Sequence, residues 1–333
     1  MTTNVKTKVQ GIRVEQYGGP EVMRFSDYEL PAPGPGQVRV KIHAAGVNFI
    51  DILQRRGTYR INVSLPFTPG LEGAGVVEEI GEGVKEVKVG DRVAYSYGAS
   101  SYAQATLVRA ESLILLPPEI NFEQGAAFPL QGMTAHYLLH EFYKLKPGET
   151  VLIHAAAGGM GGLLVQWAKH MGARVIGTVS TKEKAQIAIA LGADEIINYT
   201  EQDFVKESKR LTNDKGPEFI IDGVGKDTFT KDLEAVAGRG HVVIFGAASG
   251  LAESLMPNSL QMRSITVSGG SLFNYLNSRQ ELLMRANDVL KGMKEGWLRL
   301  KIEHVLPLKD AAKAHELLEN RRTTGKIVLK ISD

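Results

Sequence analysis

The stretch KPGETVLIHAAAGGMGG, from Lys146 to Gly162, constrains the fold of this chain more than any other. Thr150-Val151-Leu152-Ile153-His154 is a short apolar run suited to a strand buried on both faces. It runs straight into Ala155-Ala156-Ala157-Gly158-Gly159-Met160-Gly161-Gly162, after which Leu163, Leu164, Trp167, Ala168 and Met171 recur at helical spacing. Strand, glycine turn and helix in that order predict a cradle for phosphate. The glycines let the backbone approach a pyrophosphate, and the free N–H groups at the helix start point towards it. The letters read A-x-x-G-G-x-G, short of a full G-x-G-x-x-G, so the context carries this reading. A tight turn without a ligand is the plainer alternative.

The next apolar run, Arg174-Val175-Ile176-Gly177-Thr178-Val179, predicts a second strand. The residue after such a strand reads the adenosine ribose: an Asp or Glu there bonds the two ribose hydroxyls and repels a 2′-phosphate. Here the sequence continues Ser180-Thr181-Lys182-Glu183-Lys184. Small hydroxyls and two lysines, with the acid displaced towards a helix start, favour NADPH over NADH by charge and by room. Ser180 or Thr181 could equally cap the following helix, and the two duties are compatible.

A chain of 333 residues has room for two domains, and its 43% hydrophobic and 23% charged residues are ordinary globular proportions. A net charge of +2 gives no pull towards nucleic acid or membrane, and no basic strip interleaved with aromatics is present. The absence of cysteine removes disulfides, thiol nucleophiles and thiolate zinc sites. With no signal-like apolar leader and no long apolar run, a cytoplasmic protein is expected.

Residues 1–125 read as mostly β. Runs at 9–17, 23–30 and 38–44 alternate or are β-branched, and are broken by Gly18-Gly19-Pro20 and by Pro31-Ala32-Pro33-Gly34-Pro35-Gly36. A short helix is predicted from Val47 to near Gly57, then strands at 73–81 and after Gly90-Asp91, which together indicate a barrel-like domain. From about Phe122 helices alternate with strands at 150–154, 173–179, 195–198, 219–222, 241–245 and 264–268, the pattern of a doubly wound parallel sheet. A long helix at 279–294, a strand at 302–307, a helix at 309–320 and a strand at 326–331 are expected to return to the first domain. This places the α/β domain at 126–269, inserted into a β domain of 1–125 plus 270–333, with the active site in the cleft between them.

In order and spacing, Ala44-Ala45-Gly46-Val47-Asn48-Phe49-Ile50-Asp51, Pro69-Gly70-Leu71-Glu72-Gly73-Ala74-Gly75, Gly90-Asp91-Arg92-Val93 and the glycine turn followed by Gln166-Trp167-Ala168-Lys169 form a specific set. They resemble the medium-chain dehydrogenase/reductase superfamily, and within it the zinc-free quinone oxidoreductase branch that includes the zeta-crystallins. The resemblance implies an α/β protein with a GroES-like catalytic domain and an inserted Rossmann domain. Zinc-dependent cousins carry Cys-His where this chain has Asn48-Phe49, and Gly-His-Glu where it has Gly70-Leu71-Glu72. No catalytic metal is therefore expected, since zinc needs three firm ligands.

The implied chemistry is transfer of reducing equivalents from NADPH to a quinone. The nearer alternative is reduction of an α,β-unsaturated carbonyl; a non-catalytic, crystallin-like NADPH-binding role is the other. By resemblance the nicotinamide lies near Asn48, Asp51, Met133 and Thr134, and Gly158, Gly159, Met160 and Gly161 hold the pyrophosphate. Ser180 and Lys184 would take the adenosine phosphate, with Tyr199 on the adenosine portion. Phe245-Gly246 and Leu272-Phe273 would line the nicotinamide side, and Arg321 would reach back to the cofactor. Tyr59, Asn48 and Asp51 are the candidate catalytic residues: a phenol can donate to a developing oxyanion. Asn48 and Asp51, three apart on one helical turn, could instead only bond each other's backbone. His43, His136, His140 and His154 read as core or edge histidines. An apolar edge at the sixth strand of the α/β sheet, 264–268, predicts a homodimer.

Overall fold

A computed structural model describes residues 6–59, 63–98 and 100–332. The chain divides into two compact units. One holds the described residues up to Leu130 with Ser278–Ala286 and those from Leu300 onward; the other holds Gln131–Asn277 and Asn287–Arg299.

The first unit opens with β1 (Thr7–Val14) and β2 (Met23–Leu30), an antiparallel pair. Then come β3 (Gln37–Val47), α1 (Phe49–Arg56), β4 (Glu72–Ile80), β5 (Arg92–Ser96), β6 (Ala105–Arg109), β7 (Ile114–Leu115) and α2 (Phe122–Ala127). The long β3 organises the sheet. It pairs with β4 along one edge, while its first half pairs with β6 on the other. Register shifts in the β3–β4 ladder, at Arg39/Val40 and Ile42/Ala44, bend the ribbon as bulges do and curl the sheet. A Cβ at Gly75 would run into the carbonyl oxygen of Lys41, so β3 and β4 approach closely only because that residue is glycine. Val38, Val40, Val77, Val93, Tyr95 and Val108 fill one core on this sheet.

Helix α1 begins two residues later than its apolar pattern suggests, because Val47 still belongs to β3 and Asn48 is the N-cap. Asn48 takes the N-cap and its N–H donates to the carboxylate of Asp51 at 2.9 Å. Gly57, left-handed at φ 68°, closes the helix.

The second unit carries most of α3 (Pro129–His140) and then alternates: β8 (Thr150–Ile153), α4 (Gly159–His170), β9 (Arg174–Val179), α5 (Lys182–Ala190), β10 (Glu195–Asn198), α6 (Phe204–Leu211), β11 (Phe219–Asp222), α7 (Phe229–Ala235), β12 (His241–Ile244) and β13 (Thr266–Gly269). All six strands are parallel, in the order β10-β9-β8-β11-β12-β13. The order reverses between β8 and β11, which makes their carboxyl ends the switch point of a doubly wound sheet. Leu152, Ile176, Ile197, Ile220 and Val242, one from each of five strands, share a core. Fully burying such a side chain is worth roughly 1.5–3 kcal/mol.

The sixth strand starts two residues later than the sequence pattern indicates. Ser264 is left-handed, at φ 53°, and closes a 3-10 helix at Pro257–Arg263, so it cannot extend the strand. After α8 (Arg279–Glu295), the chain adds β14 (Ile302–Pro307), α9 (Ala311–Glu319) and β15 (Lys326–Lys330). These two strands join the first unit's sheet: β15 runs antiparallel to β3 and carries β14 parallel to itself. A second core there collects Ile12, Val14, Phe67, Ala311, Ile327 and Leu329.

Candidate active site

The glycine turn lies at the carboxyl end of β8, where Gly158 is the N-cap of α4 and no side chain caps the helix. The first-turn N–H groups of Gly159, Met160 and Gly161 therefore present the positive end of the helix dipole without an internal anion. A Cβ at Gly161 would meet the carbonyl oxygen of Ala155, so this glycine lets α4 pack down on the turn. Ala155 itself is left-handed, at φ 52°. Uncapped donors and absent side chains suit a pyrophosphate.

Ser180 and Tyr199 follow the neighbouring strands β9 and β10, and the structure brings them side by side. Tyr199 N–H donates to Val179 O at 3.0 Å, and Thr200 Oγ1 donates to Ser180 O at 3.2 Å. Thr181, not Ser180, caps α5, accepting from Lys184 N–H at 3.2 Å. Tyr199 is 45% exposed, which leaves apolar surface at this strand end. Phe245 and Gly246 follow β12, and Leu272 and Phe273 follow β13. All these positions lie along the edge formed by the strand carboxyl ends, where ligands of such sheets bind. Of the α3 pair, Met133 is fully buried and Thr134 alone presents surface.

Beneath the turn, His154 is buried between Thr178 Oγ1 at 2.9 Å from Nδ1 and Asp232 Oδ1 at 2.7 Å from Nε2. Burial presses the imidazole down, but the charge and hydrogen bond of Asp232, together with the charge of Asp222, outweigh it and hold the imidazole above its usual range. Burial likewise pushes Asp232 up to about 7, against the pull of His154. The pair is hydrogen-bonded inside the core, and Asp232 Oδ2 has no hydrogen-bond partner there. Asp222, at the end of β11, accepts from Val224 N–H at 2.6 Å and Gly225 N–H at 3.1 Å, folding the turn at the switch point.

The other candidates belong to the first unit. Tyr59 is half-buried just beyond α1, with its N–H on Leu53 O, and residues 60–62 lie outside the described ones. Arg321 is exposed and left-handed, at φ 55°, just after α9. Asn48 and Asp51 are buried, at 4% and 0% exposure, in a polar network. Asn48 Nδ2 donates to Glu72 Oε1 at 2.7 Å, and Lys326 Nζ donates to Asn48 Oδ1 at 2.6 Å and to Glu72 Oε1. Asp51 Oδ2 accepts from Asn48 N–H and, at 3.1 Å, from Tyr102 OH. Burial pushes the Asp51 carboxyl up to about 7, and its Oδ1 has no hydrogen-bond partner. Tyr102 and Arg55 both reach His315, and Arg55 continues to Glu319 at 2.6 Å.

Lys326, Tyr102 and His315 escape a reading of the sequence because each joins the network from a distant element. The turn at Gly223-Val224-Gly225 was legible: Asp-Gly-x-Gly directly after a buried strand signals a tight turn. Among the described residues no group of three or more His, Asp or Glu is placed to hold a metal ion.

Comparison with known proteins agrees with this architecture. Residues 34–146 match the alcohol dehydrogenase GroES-like domain, and residues 159–287 match the zinc-binding dehydrogenase family. A quinone oxidoreductase of Pseudomonas aeruginosa is 42% identical over 320 residues, 96% of this chain and 98% of that protein. A 2-haloacrylate reductase of a Burkholderia species is 41% identical over 323 residues, 95% of this chain and 97% of that protein. The crystal structure of Escherichia coli quinone oxidoreductase complexed with NADPH superposes with a TM-score of 0.92 at 38% identity, covering 96% of this chain and 99% of that one. Similarity of this degree runs the length of both units: the chain belongs to the zinc-free quinone oxidoreductase branch of the medium-chain dehydrogenase/reductase superfamily, and it is an oxidoreductase.

Proposed function

We propose that the chain transfers reducing equivalents from NADPH to a quinone without a catalytic metal. The observation that carries this reading is the strand-end surface of the second unit: an uncapped glycine helix start at Gly158–Gly161, with Ser180 and not an acid after β9 and the exposed Tyr199 beside it. The glycine backbone would hold the pyrophosphate, and Ser180 with Lys184 would receive a 2′-phosphate, where a carboxylate would repel it. The relatives support the same cofactor, one having been solved with NADPH.

When bound, NADPH would supply a hydride, and a quinone that gained this hydride and one solvent proton would become hydroquinone. The chain's own part is to orient the acceptor, exclude water and stabilise the oxygen that gains charge. Tyr59 and Asn48 are donors suited to that oxygen, and Asp51 orders the helix start that carries Asn48. Phe245 and Phe273, both half-buried, would give apolar surface for a flat ring, with Leu272 buried beside Phe273, and Arg321 would add a cation for the cofactor.

Reduction of activated enones is a second reading, favoured by the 41% identity with a 2-haloacrylate reductase. A cytoplasmic homodimer completes the proposal: among the described residues no helix is long and apolar enough to cross a membrane, and β13 is an edge strand able to pair with a second copy.

A steady-state screen of NADPH and NADH against 1,4-naphthoquinone, 1,4-benzoquinone and a series of 2-alkenals tests this reading. It predicts the highest kcat/KM for NADPH with a quinone. Turnover of 2-alkenals alone would replace it with the enone reading, and NADPH binding without oxidation by any acceptor would overturn both.

A further inference from the structure

Lys326 opens β15 with its ammonium inside the first unit, at 3% exposure. It closes a ring with two other buried side chains: ammonium to the Asn48 amide oxygen at 2.6 Å, amide nitrogen to the Glu72 carboxylate at 2.7 Å, and the same carboxylate oxygen back to the ammonium. The second carboxylate oxygen accepts from Leu130 N–H at 2.8 Å. The ring assigns the amide without ambiguity. An ammonium only donates, so the atom facing it is Oδ1; a carboxylate only accepts, so the atom facing it is Nδ2.

Desolvating two opposite charges costs several kcal/mol per ion, and an apolar pair of like volume commonly holds a fold as well. The charges therefore call for a role other than stability. A cation on the amide oxygen withdraws electron density from the amide, and linked hydrogen bonds polarise one another. The Asn48 N–H groups become stronger donors, held in one orientation. Glu72 takes one of the two Nδ2 hydrogens, and among the described residues it is the one acceptor there.

We propose that Lys326 is a positioning residue for the acceptor: with Glu72 it locks and polarises the Asn48 amide, so that the remaining Nδ2 hydrogen meets the acceptor oxygen on which charge develops during reduction. This inference rests on the reading that Asn48 faces the acceptor. Lys326 does not itself touch the acceptor; it acts through the amide, and loss of the amide makes it redundant.

The experiment measures kcat, KM for NADPH and thermal midpoint of the full chain with 1,4-naphthoquinone, in Lys326→Met, Asn48→Ala, Asn48→Ala/Lys326→Met and Glu72→Gln/Lys326→Met. Lys326→Met is expected to lower kcat tenfold or more with KM for NADPH within twofold of wild type. Glu72→Gln/Lys326→Met leaves no lone buried charge, so it should recover the thermal midpoint without recovering kcat. Adding Lys326→Met to Asn48→Ala should cost no further kcat. A slow Asn48→Ala combined with wild-type kcat in Glu72→Gln/Lys326→Met would overturn the inference alone, since the charges would then serve packing only. Wild-type kcat in Asn48→Ala would overturn both the inference and the reading of Asn48 on which it rests.

Discussion

Arg55 Nη1 lies 3.1 Å from His315 Nδ1, and this contact fixes the direction of a chain of hydrogen bonds through the first unit. A guanidinium only donates, so Nδ1 accepts and the imidazole proton sits on Nε2. That proton points to Tyr102 Oη at 3.1 Å, which leaves the phenol hydrogen for Asp51 Oδ2, also at 3.1 Å. Burial, and then the Arg55 charge, hold His315 down to about 3, so the imidazole stays neutral and the direction does not change near neutral pH.

Tyr102→Phe breaks this chain in the middle. His315 keeps a buried N–H with no acceptor, and Asp51 loses a donor. An unsatisfied buried polar group costs about 1–3 kcal/mol, and a loss of that size in urea unfolding of the full chain is the expected outcome. A change below about 0.5 kcal/mol would show that the phenol hydroxyl is idle.

Asp51 predicts a pH dependence of stability. Its carboxyl is raised from 3.8 to about 7, chiefly by burial, so between these values the folded chain binds more protons than the unfolded one. Stability therefore falls as pH rises through that window, by a total on the order of 4 kcal/mol from this group. Asp51→Asn keeps an acceptor for Asn48 N–H and Tyr102 OH and removes the titration. Relative to wild type it should gain stability steadily from pH 4 to pH 8, read as the difference between the two denaturation midpoints. A difference independent of pH would place the carboxyl in its ordinary range.

These two residues mark how far the sequence could be read. Asn48 and Asp51 are three apart, so a bond from one to the other's backbone was within reach of the sequence, and the structure makes it from Asn48 N–H to the Asp51 carboxylate. Lys326 meets Asn48 across 278 positions and His315 meets Tyr102 across 213, so no local pattern could reveal either contact. The parallel sheet was legible because each buried strand repeats the same apolar run before a turn. The start of the sixth strand was not: nothing in Arg263-Ser264-Ile265 announces that Ser264 turns left-handed, since tertiary packing decides it.

Lys184 tests the choice of cofactor. It stands in the first turn of α5, its N–H on Thr181 Oγ1, directly after the strand end where the adenosine ribose would lie. A lysine there gains a charge-assisted bond to a 2′-phosphate that NADH lacks. Lys184→Ala should weaken NADPH binding about tenfold, by titration of cofactor fluorescence, and change NADH binding less than twofold. Equal weakening of both would mean that the side chain supports the helix and not the phosphate.

Gly159 and Gly161 separate binding from folding within one turn. A Cβ at Gly159 would press on the amide end of Gln131, at 2.9 Å from Oε1, which can swing aside; a Cβ at Gly161 would strike the backbone carbonyl of Ala155, which cannot. Gly161→Ala should therefore drive α4 off the turn and cost about 1–3 kcal/mol, as overpacking against fixed atoms does. Gly159→Ala should unfold within about 0.5 kcal/mol of wild type, because the helix gains a better former at a first-turn position. In the proposed cradle, however, the new methyl group fills space meant for the pyrophosphate. Gly159→Ala should then lose NADPH binding at least tenfold while staying folded, measured by calorimetric titration beside a thermal melt. Intact NADPH affinity in that variant would move the pyrophosphate away from the start of α4, and with it the cofactor from the carboxyl ends of β8 and β9.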